Sequence, residues 1–217
     1  MEPEQTALLP GSGIDLERFR PKQTESNQPG ALSFLLIARL LWDKGIGEFV
    51  VAARIVKTRF PDVRFQLLGF LDSENRTAIS KSTVDEWGLE GIVEYPGVAD
   101  DVRPNIAASD CVALPSYREG TPRTLLEAAA MGKPLIATDV PGCREVMEHG
   151  KNGFLCEARN PTDLAQKILD FIDLSDDERI RMGQASREKA EREFDENIVI
   201  QRYLETIEEI LKAKGKA

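Results

Sequence analysis

The 217-residue chain is poor in cysteine and histidine, and this scarcity excludes several kinds of chemistry. Its three cysteines, Cys111, Cys143 and Cys156, lie far apart and form no Cys-x-x-Cys pair, which excludes the usual zinc-binding and disulfide patterns. We therefore expect three buried, reduced thiols. The single histidine, His149, lies in a glycine-rich turn that favours a surface position. No histidine-based catalytic pair is expected.

The chain also lacks an excess of positive charge and any long apolar run. Its 28 Lys and Arg residues are outnumbered by 37 Asp and Glu residues, and the net charge of −9 repels nucleic acid and anionic lipid. We expect no nucleic-acid partner. No run approaches the roughly 20 apolar residues that cross a bilayer, and the acidic first residues are unlike a signal peptide. No transmembrane segment is expected, and the predicted location is cytoplasmic.

From residue 31 onward, short apolar runs alternate with helical patterns. The predicted strands are Phe34–Ala38, Val63–Leu68, Ile92–Tyr95, Cys111–Leu114, Leu135–Thr138 and a short strand at Phe154 and Leu155. The predicted helices between them are Ile46–Phe60, one ending near Trp87, Val102–Ala108, Thr124–Ala130 and Cys143–Glu148. This alternation predicts an α/β fold with a doubly wound, Rossmann-like parallel sheet of about six strands, which binds ligands at the carboxyl ends of its strands.

The two ends of the chain differ from this pattern. Residues 1–30 are rich in Pro, Gly, Gln and Ser without a sustained period, so we predict a tail or linker, with ordered structure beginning after it. From Pro161 to Lys216 the pattern is almost entirely helical, which predicts C-terminal helices, the last of them over residues 196–217.

The stretch from Leu114 to Glu127 carries the most information. It is predicted to leave a strand and enter a helix, with Thr121 as N-cap and Pro122 as first helical residue. Gly132 and Pro134 should end this helix after about three turns. Gly120 would let the backbone approach a ligand closely. The free N–H groups of the helix start would then form an anion site at the ligand-binding edge of the sheet.

Two glutamates bracket that anion site. Glu119 precedes the helix, and Glu127 follows Thr121 by six residues, or ~9 Å along the axis. This spacing suits a nucleoside diphosphate-sugar, with its sugar near Glu119, its diphosphate at Gly120, Thr121 and Pro122, and its ribose at Glu127. Two surface glutamates on a capped helix would have the same spacing, so the spacing alone leaves both interpretations open.

A pair of cations favours the nucleotide-sugar interpretation. Arg39 and Lys44 follow the first strand and could neutralise a diphosphate at the same edge of the sheet. The chain has no Asp-x-Asp and no convincing set of metal ligands, so we expect no metal and no cofactor. A nicotinamide-binding dehydrogenase would carry G-x-G-x-x-G after its first strand, where this chain has Arg39-Leu40-Leu41-Trp42, and this alternative is excluded.

In these features the sequence resembles the retaining glycosyltransferases of family 4, also called glycosyl transferases group 1, which have the two-domain GT-B fold. The resemblance covers essentially the whole chain. In its first half it rests on Gly13-Ile14-Asp15 with Phe19 and Pro21, Ala38-Arg39-Leu40 with Lys44-Gly45, Gly69, and Tyr95-Pro96-Gly97-Val98. In its second half it rests on Pro115-Ser116 with Glu119-Gly120-Thr121-Pro122 and Glu127, Ala137-Thr138-Asp139-Val140-Pro141-Gly142 with Glu145, and Asn152-Gly153. It implies the following donor contacts: the diphosphate with Arg39 and Lys44, the sugar with Glu119, the ribose with Glu127, the sugar and phosphates with the backbone of Gly120, Thr121 and Pro122, and the base near Val98. Glu119, Arg39 and Lys44 are the catalytic candidates it implies.

The resemblance assigns no role to Arg123. A cation in the first turn opposes the helix dipole, so this side chain is expected to point to solvent. Glu119 is expected to position the donor and stabilise charge, since the family's retaining reaction is generally ascribed to front-face attack without a covalent intermediate.

The resemblance also predicts how the chain is organised. Residues 31–195 would be the donor-binding half of a GT-B fold, residues 1–30 a linker from an absent N-terminal acceptor domain, and residues 196–217 a C-terminal helix. The expected function is transfer of a hexose or N-acetylhexosamine from a nucleoside diphosphate-sugar, with UDP-sugars favoured, to a glycan or lipid-linked acceptor. The acceptor would bind through the missing domain, so the isolated domain should be inactive, and the full-length enzyme could be peripheral at the membrane. A non-catalytic nucleotide-sugar-binding module stays open; a phosphorylase-type GT-B enzyme lacks a supporting cofactor-lysine context.

Overall fold

The computed structural model describes residues 13–21 and 31–214, and six strands alternate with helices in it. The strands are β1 (Ser33–Ile37), β2 (Arg64–Leu68), β3 (Glu94–Gly97), β4 (Cys111–Leu114), β5 (Leu135–Thr138) and β6 (Gly153–Cys156). The helices are α1 (Ile46–Lys57), α2 (Lys81–Leu89), α3 (Arg103–Ala108), α4 (Arg123–Ala130), α5 (Pro141–Val146), α6 (Pro161–Ile172), α7 (Asp176–Glu193) and α8 (Glu196–Lys214), with a short 3₁₀ turn at Trp42–Lys44.

The sheet has the strand order β3-β2-β1-β4-β5-β6, and all neighbouring strands are parallel. This is the order of doubly wound, Rossmann-like folds, and the predicted α/β class is therefore confirmed. The chain direction across the sheet reverses between β1 and β4. Such a switch point opens a crevice outside the carboxyl ends of the two strands, where folds of this kind bind their ligands.

Each face of the sheet has its own apolar core. Successive residues of β1 point to opposite faces, so Phe34 and Leu36 belong to one core and Leu35 to the other. On one face the Phe34 ring stacks on Phe65 with 5.5 Å between centroids, and Phe171 of α6 meets Phe34 edge-on at 5.6 Å. On the other face Leu35 packs with buried residues of α4, including Leu126. Helices cover both faces, which explains why the central strands are continuous apolar runs.

The segment of residues 13–21 packs on the domain. The Ile14 N–H donates to the Phe194 carbonyl at 2.7 Å, and the Glu196 N–H donates to the Ile14 carbonyl at 3.1 Å. Ile14 and Phe19 are both buried. The expectation that ordered structure begins only after residue 30 is therefore wrong for residues 13–21. The rest of the predicted tail, residues 1–12 and 22–30, lies outside the described residues.

The cysteines and the histidine lie where the sequence predicted. Cys111, Cys143 and Cys156 are free and buried, and burial raises the thiol pKa of Cys143 and of Cys156 to about 12. His149 is exposed, and its Nδ1 accepts the Leu155 N–H at 3.0 Å. None of the helices in residues 13–21 and 31–214 combines the length and apolar character that spanning a membrane requires.

Candidate functional site

Two loops meet at the switch point of the sheet: the β1 loop (residues 38–45) and the β4 loop (residues 115–122). The Tyr117 N–H donates to the Asp43 carbonyl at 2.9 Å, which ties the loops together through the backbone. Gly45 has φ +71°, and a Cβ there would lie 2.0 Å from the Pro115 carbonyl oxygen. Only glycine permits so close an approach, so the loop register depends on this residue.

Lys44 and Glu119 form an ion pair across the two loops. Lys44 Nζ lies 2.7 Å from Glu119 Oε1, and the two side chains are only 19% and 13% exposed. The structure thus brings together two residues that the sequence placed at one site, a cation from the β1 loop and a carboxylate from the β4 loop. Arg39 pairs with a different carboxylate: its guanidinium forms a 3.4 Å contact with Asp72 and is half exposed.

Helix α4 begins one residue later than predicted. Pro122 is the N-cap, with extended backbone and no side-chain cap, and Arg123 is the first helical residue. The predicted capping role of Thr121 is therefore wrong: its hydroxyl donates to Glu145 at 2.8 Å instead of to the helix start. The helix has 8 residues, about two turns where three were predicted. Gly132 follows it in the left-handed conformation, as its placement suggested.

The first turn of α4 presents unpaired backbone donors to the site. Among the described residues, the N–H groups of Arg123 and Thr124 find no acceptor, as expected at a helix start. Together with the partial positive charge of the helix N-terminus, these donors favour an anion beside the Lys44–Glu119 pair. Gly120, Thr121 and Pro122 form the backbone that leads into this turn.

Helix α5 packs closely against the β4 loop. A Cβ on Gly142 would lie 1.4 Å from the Gly120 carbonyl oxygen and 2.7 Å from that of Glu119. The α5 backbone therefore rests directly on the loop that carries the catalytic candidate. The Thr138 hydroxyl also donates to the Ser116 carbonyl, which anchors the loop to the end of β5.

A further contact, which was not predicted from the sequence, ties the β4 loop to helix α1. The Tyr117 hydroxyl donates to Glu48 Oε1 at 2.7 Å, and the Arg159 guanidinium lies 4.6 Å over the Tyr117 ring. Burial, with the nearby Glu48 carboxylate, raises the pKa of Tyr117 to about 12, so it remains a donor at neutral pH. Tyr117 lies inside the most informative stretch of the sequence, but nothing there indicated its partner in α1.

Glu127 lies one turn into α4 and is largely buried, with its side chain 13% exposed. Burial raises the pKa of its carboxyl, and the hydrogen bond from Arg123 works against that rise. Arg123 is exposed, as predicted, but its Nε also lies 3.0 Å from Glu127 Oε1. This pair was not predicted from the sequence.

Val98 is the remaining predicted contact. It follows β3 at the same carboxyl edge and is exposed, but β2 separates β3 from β1. Its predicted place near the base stays a prediction. Within residues 13–21 and 31–214, no group of three or more His, Cys, Asp or Glu side chains is gathered in a way that could hold a metal ion.

The sheet order and its switch point define the class of domain, a doubly wound, Rossmann-like fold that binds ligands at the carboxyl ends of its strands. Residues 31–173 match the family model described as glycosyl transferases group 1. The chain belongs to this family. The resemblance noted from the sequence and the predicted fold are thus both confirmed.

Known relatives agree with this assignment. The chain is 30% identical, over 98% of its length and 56% of the relative, to the N,N'-diacetylbacillosaminyl-diphospho-undecaprenol alpha-1,3-N-acetylgalactosaminyltransferase of Campylobacter jejuni. A glycosyltransferase structure from Rickettsia africae superposes with a TM-score of 0.79 at 25% identity, covering 92% of this chain and 56% of that one. Anabaena Alr3699/HepE in complex with UDP and glucose superposes with a TM-score of 0.75 at 26% identity, covering 90% and 55%. The chain spans about half the length of the curated relatives it matches.

Proposed function

We propose that this chain is the donor-binding domain of a retaining glycosyltransferase. The donor is a UDP-sugar that carries a hexose or N-acetylhexosamine, and the acceptor is a glycan or a lipid-linked sugar. The observation that carries the proposal is the 2.7 Å Lys44–Glu119 pair beside the free N–H groups of α4, at the switch point of the sheet. It combines a cation for phosphate with a carboxylate for sugar hydroxyls.

The ion pair gives the donor site a defined state before the donor binds. An incoming diphosphate would compete with Glu119 for the Lys44 ammonium group, while the α4 amides would bind its remaining oxygens. The Glu119 carboxylate would then accept hydrogen bonds from the donor sugar. Arg39, half exposed beside Asp72, would supply a second cation at the rim. Lys44 would thus exchange the Glu119 carboxylate for the diphosphate. This exchange couples diphosphate binding to sugar binding, because it frees Glu119 for the sugar.

The same groups would support transfer. The bond between the anomeric carbon and the β-phosphate oxygen breaks, and its electron pair stays on the phosphate. The acceptor hydroxyl oxygen forms the new bond on the same face of the sugar, and its proton passes to the departing phosphate oxygen. Lys44, Arg39 and the α4 amides would stabilise the charge that develops on the diphosphate. We propose that these groups suffice without a divalent metal.

The names and titles of the relatives support the proposed chemical class of the two substrates. Anabaena Alr3699/HepE has been solved with UDP and glucose, which supports a UDP-linked donor. The Campylobacter jejuni relative is named for transfer of N-acetylgalactosamine to a diphospho-undecaprenol-linked sugar, which supports an N-acetylhexosamine and a lipid-linked acceptor.

Calorimetry of the 217-residue chain tests the donor site. UDP should bind equally well with and without EDTA, and NAD should not bind. Lys44→Met should weaken UDP by about tenfold or more, the usual loss for a charge-assisted hydrogen bond. Lys81→Met is the matched control, because Lys81 is exposed and pairs with Asp85, 2.6 Å away on its own helix.

Two results would contradict the proposal. Loss of UDP binding in EDTA would overturn the metal-free site. Equal affinities of the Lys44 and Lys81 variants would show that the diphosphate does not bind between the two loops.

A further inference from the structure

Arg123 occupies a position that local physics disfavours. It is the first residue of α4, where a cation opposes the helix dipole, and the first turn contains no acidic residue to compensate. It precedes its partner Glu127 by four residues, and Arg before Glu is the weaker order for such a pair. Helix stability therefore does not explain this residue. Departures from local preference are expected mainly at functional sites.

The contact that Arg123 makes fixes one oxygen of Glu127 and leaves the other available. The Arg123 Nε lies 3.0 Å from Oε1, whereas Oε2 accepts no hydrogen bond from any described residue. A ribose presents two neighbouring hydroxyls, and a carboxylate binds such a diol best when each oxygen accepts one hydrogen bond. Oε1 keeps a lone pair beside the Arg123 contact, so the held carboxylate can still accept both hydroxyls.

We propose that Arg123 is a positioning residue that orients the Glu127 carboxylate toward the ribose hydroxyls and makes the site selective for ribonucleotides over 2′-deoxyribonucleotides. The inference rests on the proposed function, because it takes Glu127 as the acceptor for the ribose. Arg123 itself acts through Glu127 and needs no contact with the donor.

Electrostatics add a second consequence. Burial raises the pKa of Glu127, and the cations that oppose this rise are Arg123 on its own helix and Arg18 from the packed segment of residues 13–21. A protonated Glu127 would lose acceptor capacity for the diol. Removing Arg123 would raise the Glu127 pKa further. As the pH falls, both proteins should lose the preference for ribose when Glu127 is protonated. The variant should lose it at a higher pH than the wild type.

The test compares UDP with 2′-deoxy-UDP, which have identical phosphates, by calorimetry at several pH values. The wild type should prefer UDP by roughly tenfold or more, the effect of one hydrogen bond to a charged acceptor. In Arg123→Gln the ratio of the UDP affinity to the 2′-deoxy-UDP affinity should fall at least ~3-fold. The pH at which half of this preference is lost should rise. Arg123→Lys should recover much of the ratio. Lys212→Gln is the control, because it removes the same charge from an exposed pair four residues apart on α8.

Each outcome addresses one claim. If Arg123→Gln keeps the wild-type ratio and pH profile, or weakens both nucleotides equally, the positioning role is wrong; the second result would place Arg123 on the phosphates instead. If Glu127→Ala keeps the wild-type ribose preference, the assignment of the ribose to Glu127 is wrong. If the wild type binds neither nucleotide, the proposed function itself fails.

Discussion

Glu119 and Glu127 belong to one motif, yet their surroundings predict different effects on ligand binding. Glu119 is paired with Lys44 at 2.7 Å, and Glu127 is paired with Arg123 at 3.0 Å. The partner of Glu119 is the cation proposed to bind the diphosphate, whereas the partner of Glu127 is not. Removing the Glu119 charge should therefore free a phosphate ligand, and removing the Glu127 carboxylate should cost ribose contacts alone.

This difference gives a prediction for two variants. Glu119→Gln should bind UDP at least as tightly as the wild type, because Lys44 loses its competing partner, but the extra affinity of a UDP-sugar over UDP should vanish. Glu127→Ala should weaken UDP and UDP-sugar alike, by about 1–3 kcal/mol. Calorimetry with both ligands on both variants measures the effects. Equal losses for both ligands in both variants would contradict the proposed layout along α4.

The charges of the site could be predicted from the sequence, but their pairing could not. The sequence predicts Lys44 and Glu119 at one edge of the sheet, because each follows a buried strand and parallel strands end at a common edge. The partner of each charge depends on side-chain geometry between elements far apart in sequence. Thr121 shows the limit: as a good N-cap residue it was expected to cap α4, but its hydroxyl donates to Glu145 of α5.

At the scale of elements, the contact between α5 and the β4 loop is the tightest around the site. Gly142 in α5 has no room for a side chain, since its Cβ would lie 1.4 Å from the Gly120 carbonyl oxygen. The obstacle is backbone, which cannot rotate away as a flexible side chain would. Any residue larger than glycine must therefore move α5 or the loop that carries Glu119.

Gly142→Ala should consequently destabilise the domain, by about 1–3 kcal/mol as for overpacked cores, and weaken UDP-sugar binding. Gly88→Ala is a matched control in α2, where the nearest atom to the new Cβ lies at an ordinary 3.9 Å. That change should be neutral or stabilise the fold by up to about 1 kcal/mol, because alanine favours the helix. Urea unfolding compares the two variants. Equal stability of the two would show that α5 and the loop can separate without cost.

Most elements could be predicted because buried parallel strands are short apolar runs between amphipathic helices. Residues 13–21 escaped prediction because scattered contacts hold them: two buried apolar side chains, Ile14 and Phe19, and backbone bonds to Phe194 and Glu196. Arg187 adds to these contacts, since its Nη1 donates to the Leu16 and Phe19 carbonyls. So short a segment has no period from which to infer packing. The late start of α4 also escaped prediction. The backbone of Pro122, and not a side-chain cap, begins the first turn, and the residue types do not reveal this.

On the scale of the whole molecule, the proposed function assigns the described domain contacts for a donor and none for an acceptor. The donor contacts proposed here come from a single sheet edge and the helices beside it. The chain spans about half the length of its curated relatives. Transfer also requires an acceptor hydroxyl held against the anomeric carbon, and such positioning can account for ~7–11 kcal/mol of barrier reduction.

We therefore expect the 217-residue chain to fold and bind its donor, yet to transfer sugar at less than about one-thousandth of the rate of a two-domain relative, because the positioning contribution is lost. The assay follows release of UDP and formation of glycosylated acceptor, with a lipid-linked N-acetylhexosamine acceptor and matched UDP-sugars. Calorimetry on the same sample verifies that the donor is bound, so that a lack of turnover is not mistaken for a lack of binding. Slow release of UDP without glycosylated product would still agree with the prediction, since water can replace an unpositioned acceptor. Transfer at a rate comparable to that of the two-domain relative would contradict it, and would show that this domain contains an acceptor site.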